Sequence, residues 1–155
     1  MITIRVAGVP APQGSKRHVG GGRMVESSRA VGPWREAVRA ETQRAIAGPL
    51  AVPRGAGRTS LWPVGHTSLQ PVQVTVKFTL PRPQGHYGTG ANATRVRPSA
   101  PRWPHRKPDL DKLIRAVLDG ITQGGAIADD AQVVRIAAQK TYGTPGAVIT
   151  IEELT

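Results

Sequence analysis

KPDLDKLIRAVLDGITQGGAIADDAQVVRI, residues 107–136, is the stretch that decides the architecture. Leu110, Leu113, Ile114, Val117, Leu118 and Ile121 recur at the helical period, which predicts a helix over 110–122. Pro108 and Asp109 precede it, and an aspartate there can accept the unpaired backbone N–H groups of the first turn. Gly124-Gly125 ends it. A second acidic pair, Asp129 and Asp130, leads into a strand predicted over 132–142.

Outward from this core, 146–153 reads as another strand, with Gly143-Thr144-Pro145-Gly146 between the two as a hairpin turn. Residues 72–80, VQVTVKFTL, alternate apolar and polar and form the clearest strand, and 2–7, ITIRVA, form a shorter one. Pro33 opens a second helix with Trp34, Ala37, Val38 and Ala45 on one face, stopped by Gly48-Pro49. The segments 8–31, 49–70 and 81–108 are rich in Gly, Pro and Arg and read as loops. The order β, α, β, α, β, β has no internal repeat. It predicts a single α/β domain over residues 1–155, with a mixed sheet, two main helices and long basic loops.

The 155 residues include no cysteine, so disulfides and thiolate metal sites are excluded and a metal would need oxygen or imidazole ligands. Cysteine-free composition suits a reducing cytoplasm. MITIRVAGVP has no basic stretch before a long apolar run, so no signal peptide is expected, and no segment reaches the ~18 apolar residues of a membrane span.

The formal net charge of +11 favours a polyanionic partner. Its distribution says more than its sum. All five aspartates lie between 109 and 130, and no acid occurs from 42 to 108, a stretch that includes Arg82, Arg95, Arg97, Arg102, Arg106 and Lys107. Bases that hold phosphates around a cluster of aspartates that hold a cation are what phosphodiester cleavage requires.

On a helix of about 100° per residue with Leu110 at zero, Asp111 lies near 100° and Arg115 near 140°, beside the apolar stripe. This predicts Asp111 half-buried at a seam. Asp119, at about 180°, is expected to be solvated, with Arg115 one turn earlier as its partner. The 129–130 pair reads either as a cation site or as a solvated turn, and neither it nor the D-x-D alone is specific. Two acidic pairs about 20 residues apart across one helix form a plausible oxygen-only site for Mg2+, with Mn2+ as the alternative. Lys16 and Arg17, in the first loop, are expected to contact phosphates without forming a P-loop, whose pattern is absent. His18, His66, His86 and His105 show no metal-ligand spacing. Trp34 is expected in the core, whereas Trp62 and Trp103 sit in loops where a ring can stack on an unpaired base.

The combined D-x-D, late-helix Asp and D-D-x-Q pattern of 107–136 resembles the signature of the RusA family of Holliday junction resolvases. The opening from Gly8 to Gly14 and the order of elements extend the likeness loosely, with 49–70 poorly covered. The resemblance implies a RusA-like fold and a homodimer that cuts four-way junction DNA with a divalent metal, leaving 5′-phosphate and 3′-hydroxyl ends. It implies Asp109, Asp111 and Asp130 as metal-binding catalytic carboxylates, with Asp130 preferred over Asp129. Arg115 takes the place of the family's usual lysine, where it can stabilise charge but is a poor proton donor. Lys16, Arg17, Arg106, Lys107 and Lys112 are candidate DNA contacts. A bacterial cytoplasm is implied, with phage or prophage origin open. The rival readings are a non-catalytic basic DNA- or RNA-binding module whose aspartates only cap helices and turns, and a nuclease for flaps or forks.

Overall fold

The alternating strand over residues 72–80 becomes the centre of the molecule. In the structure, a computed structural model, residues 1–14, 16–18, 24–26, 29–48 and 67–154 are described, those at 16–18 and 24–26 by backbone alone. The chain runs β1 (Ile2–Ala7), β2 (Lys16–His18), β3 (Met24–Glu26), α1 (Val31–Ala47), β4 (Val72–Leu80), α2 (Leu110–Gln123), β5 (Val133–Tyr142) and β6 (Gly146–Glu153). The main sheet has the order β1-β6-β4-β5. β4 pairs parallel with β5 and antiparallel with β6, so the sheet is mixed.

Two expectations are corrected here. β5 and β6 are consecutive but do not form a hairpin, because β4 lies between them. The connection passes the end of β4, where the Gly143 N–H donates to the Leu80 carbonyl at 3.0 Å. β4 buries every second residue and β6 most of one face, so each needs neighbours on both sides, while the polar outer residues of β5 suit an edge. The segment 8–31 also holds structure: β2 and β3 pair as a short antiparallel ribbon that three-residue runs were too brief to announce. The expectations for 49–66, including Trp62 and His66, fall outside the described residues.

The core lies on one face of the sheet. Ile4, Ile149 and Val76 align across β1, β6 and β4, and Ile2, Ile151 and Val74 form the next row, all essentially buried. Ile136 of β5 continues that second row yet is 42 % exposed, so the covering layer stops short of the edge strand. Phe78, fully buried, contributes about 1.5–3 kcal/mol relative to an exposed ring.

α1 and α2 pack closely because small residues face the contact. A Cβ on Gly120 would lie 2.6 Å from Val38 Cγ1, and one on Gly124 would lie 2.6 Å from Thr42 Cβ. Pro33 sits in the first turn of α1, where its missing N–H costs nothing. Trp34 is buried, as the helical period of α1 predicts.

Candidate active site

α2 carries the first acidic pair at its start. The small residues Ala116 and Gly120 are buried together with Leu113, Val117 and Ile121, which turns the covered face toward α1 and away from Asp111. Asp111 is therefore exposed, not half-buried as the apolar stripe alone predicts. Arg115 is exposed as well. The same rotation brings Asp119 against α1, where its Oδ2 accepts from Arg35 Nη1 at 3.3 Å, both side chains 28 % exposed. The expected Arg115–Asp119 pair does not form, and the Arg115 side chain has no hydrogen-bond or ion-pair partner among the described residues.

Asp109 occupies the N-cap position, but its side chain makes no cap hydrogen bond. One carboxylate oxygen lies 3.5 Å from Lys112 Nζ, both side chains being nearly half exposed. The Lys107–Pro108 peptide before it is cis. The Asp111 side chain has no hydrogen-bond or ion-pair partner among the described residues. Arg106 and Lys107 are exposed at the end of the acid-free loop. That loop is docked, not loose: Arg82 stacks 4.2 Å from the centroid of Tyr142 and donates to the Pro101 carbonyl at 3.0 Å. Trp103 is 52 % exposed on it, with the Arg102 guanidinium 5.3 Å from its ring centroid. Lys16 and Arg17 lie on β2, their side chains outside the described residues.

The second pair sits in a 3-10 turn, Asp130–Gln132, just before β5, one residue into the span predicted as strand. Asp129 caps this turn, its Oδ1 accepting from the Ala131 N–H at 2.7 Å. Gln132 closes the box: its Oε1 accepts from the Ala128 and Asp129 N–H groups at 2.9 Å each. Its Nε2 donates to the carbonyls of Ser68 and Gln70 at 3.1 and 3.0 Å. Asp130 is exposed and its side chain has no hydrogen-bond or ion-pair partner among the described residues. The Gln132 bonds were not anticipated, although D-x-x-Q before an apolar run is a capping-box pattern.

Lys140 was also missed. Its Nζ donates to the carbonyls of Pro108 at 2.8 Å and Arg106 at 3.0 Å, which ties β5 to the mouth of α2. A lysine in phase with Ile136 and Ala138 on the core side of a strand was the available signal.

These contacts fix where the two pairs stand. The start of α2 lies beside Lys140, while Asp130 precedes Val133 at the other end of β5. Seven strand steps separate 133 from 140, about 23 Å. Asp130 thus lies toward the far end of both elements from Asp109 and Asp111. Accordingly, no three His, Asp or Glu side chains among the described residues gather closely enough to hold a metal ion.

The mixed sheet thus has a crossover helix whose start carries an ion-paired Asp109 and an exposed Asp111 beside a basic, acid-free loop. The model of the family Endodeoxyribonuclease RusA matches residues 7–152, nearly the whole chain, and the protein belongs to that family. The family is one of junction-resolving DNA endonucleases. No curated protein matches the chain. Among the described residues, no helix is long and apolar enough to cross a membrane.

The divalent metal that the family implies can be tested against these residues. The donor chemistry fits a hard cation: Asp109, Asp111 and Asp130 offer oxygen only, and two of the three have no competing partner among the described residues. One chain does not bring all three together.

Proposed function

We propose that this protein is a homodimeric crossover junction endonuclease that makes paired, symmetric nicks in four-way DNA, with Mg2+ as cofactor and Mn2+ as a substitute. The observation that carries the reading is the pair of exposed carboxylates, Asp111 and Asp130, that bond to nothing among the described residues while neighbouring acids are engaged in structure. In a protein of net charge +11, free acids beside DNA cost binding energy unless they hold a cation. The reading of a plain binding module, in which the aspartates only cap, fits Asp129 and does not fit Asp109.

The separation of the acids supports the dimer. A second copy related by a two-fold axis perpendicular to the exposed edge strand β5, so that the two β5 strands run antiparallel, brings the partner subunit's Asp130 toward Asp109 and Asp111. Val134 and Ile136, 63 % and 42 % exposed on that edge, favour such pairing. Asp109, Asp111 and Asp130 then hold the metal, which when bound supplies Lewis-acid polarisation of the phosphate and activation of water. Arg106, Lys107 and Lys112 hold phosphates on either side of the scissile bond. Arg115 lies one turn beyond Asp111, where its fixed positive charge stabilises the charge that develops on the phosphoryl oxygens. Two sites related by a two-fold axis suit a junction that must be cut on opposed strands. The setting in this reading is a bacterial cytoplasm, with the gene chromosomal or phage-borne.

Cleavage of a labelled four-way junction with and without Mg2+, against flap and fork substrates, tests the activity. Failure to cut junctions with metal, or equal cutting of all three, overturns it. Subunit mixing tests the shared site. Asp111→Asn and Asp130→Asn homodimers are both expected to be inactive, but their heterodimer regains one intact site and nicks a single strand. A heterodimer as inactive as its parents places each site within one chain.

A further inference from the structure

The turn that delivers Asp109 and Asp111 has little of its own to hold it. Among the described residues, 101–108 make no backbone-to-backbone hydrogen bond. Its polar anchors among the described residues are Arg82 on the Pro101 carbonyl, a 3.4 Å contact between His105 Nδ1 and the Trp103 carbonyl, and Lys140, while Pro104 is buried. Asp109 makes no side-chain cap bond, and its own backbone is held on the helix side, where its carbonyl accepts from the Leu113 N–H at 3.1 Å.

We propose that Lys140 is the positioning residue of the catalytic D-x-D turn, an inference that rests on the reading of Asp109 and Asp111 as metal ligands. Its ammonium has three donors, and two of them meet the carbonyls of Arg106 and Pro108 at 3.0 and 2.8 Å. The Pro108 carbonyl belongs to the same planar peptide group as the nitrogen of Asp109. Fixing that oxygen therefore fixes one side of the Asp109 Cα, and with it the direction in which its carboxylate leaves the chain. The Arg106 bond does the same for the peptide entering Lys107, a proposed phosphate contact. Lys140 sits on the edge strand β5 opposite Phe78, which is fully buried, so the anchor is paired directly to the interior strand β4. β5 also follows directly from the turn that presents Asp130. One strand thus sets the position of both acidic turns, and Lys140 is the link to the one that is remote in sequence.

The test compares Lys140→Met and Lys140→Arg with the wild type and with Asp111→Asn, all as full-length protein. Amide 1H–15N shifts of Lys107 and Asp109, whose preceding carbonyls Lys140 binds, report the anchor without metal or DNA. Lys140→Met is expected to shift both, melt as a folded protein and bind junctions normally in chelator. Its single-turnover cleavage falls on the order of 10²-fold, or its half-saturating Mg2+ rises, because a ligand displaced by about 1 Å suffices for such a loss. Lys140→Arg recovers most of the rate, since a guanidinium can also donate to two carbonyls. Unchanged amide shifts with wild-type cleavage in Lys140→Met overturn the proposal. So does a rate that falls only with the folded fraction and is not recovered by arginine. Asp111→Asn cleaving like the wild type removes the metal-site reading instead, and the amide shifts then decide by themselves whether Lys140 holds the turn.

Discussion

The two acidic turns solve the same problem by different means. Around Asp130 the device is local: Asp129 and Gln132, within four residues, satisfy the turn's N–H groups and leave the middle acid free. Around Asp109 and Asp111 the device is remote: Lys140, more than thirty residues on in the chain, holds two carbonyls of the approach. In each turn a carboxylate stays uncommitted because other groups carry the backbone. The comparison teaches that an acid's role here is read from what its neighbours bond to, not from its place in an acidic pair.

The strongest way to break that rule is to neutralise the free acids. Asp111→Asn and Asp130→Asn are expected to lower single-turnover junction cleavage by well over about 10²-fold, since even outer-shell changes at metal sites cost roughly 10–100-fold. Junction binding in chelator is expected to survive or tighten, because a negative charge beside DNA is removed. Near wild-type cleavage by both variants ends the assignment. Arg115→Ala comes next: a loss on the order of 10²-fold without a lower melting temperature, and partial recovery by Arg115→Lys, follow if its charge acts on the transition state. Normal cleavage by Arg115→Ala removes it from the mechanism.

What the sequence made legible follows the same division. Periodicity placed α1, α2 and the main strands, and the motif at 107–136 pointed to the family that residues 7–152 match. The β5–β6 hairpin was misread because strand pairing is a choice among partners, and β4 outcompetes the adjacent strand. The burial of Asp111 was misread because Ala116 and Gly120 do not register as apolar side chains, although both are buried and Gly120 packs against Val38 of α1. The D-x-x-Q cap was readable within one turn. Lys140 was not, because its partners are set by tertiary structure and only its phase on the strand hinted at them.

The scaffold of the second turn gives a smaller effect. Asp129→Ala removes one cap, about 1 kcal/mol. Gln132→Ala removes bonds to Ala128, Asp129, Ser68 and Gln70, on the order of 1–3 kcal/mol. At about 2–4 °C per kcal/mol for a chain of this size, Gln132→Ala should melt visibly lower than Asp129→Ala. Both should cleave far better than Asp130→Asn. If Asp129→Asn is the more damaging of the two neighbouring asparagine variants in excess Mg2+, the roles of 129 and 130 are reversed.

The smallest expected effect is the sharpest control, because it concerns an acid on the same helix as Asp111. Asp119 is two turns further along α2 and is engaged by Arg35 of α1 at 3.3 Å, with each side chain 28 % exposed. A partly exposed ion pair of this kind is worth roughly 0.2–1 kcal/mol, reduced further by salt. Asp119→Ala and Arg35→Ala should therefore look alike, each melting at most a few degrees lower, and the double variant should lose less than the sum of the two. Neither should change cleavage beyond its effect on folding, since neither group reaches the turn at Asp109. That outcome, beside an inactive Asp111→Asn protein of normal stability, separates a partnered acid from a free one on a single helix. A large loss of cleavage in Asp119→Ala at unchanged melting temperature, with Arg35→Ala unaffected, would put Asp119 in the reaction and show that an ion pair across the two helices does not mark a structural acid.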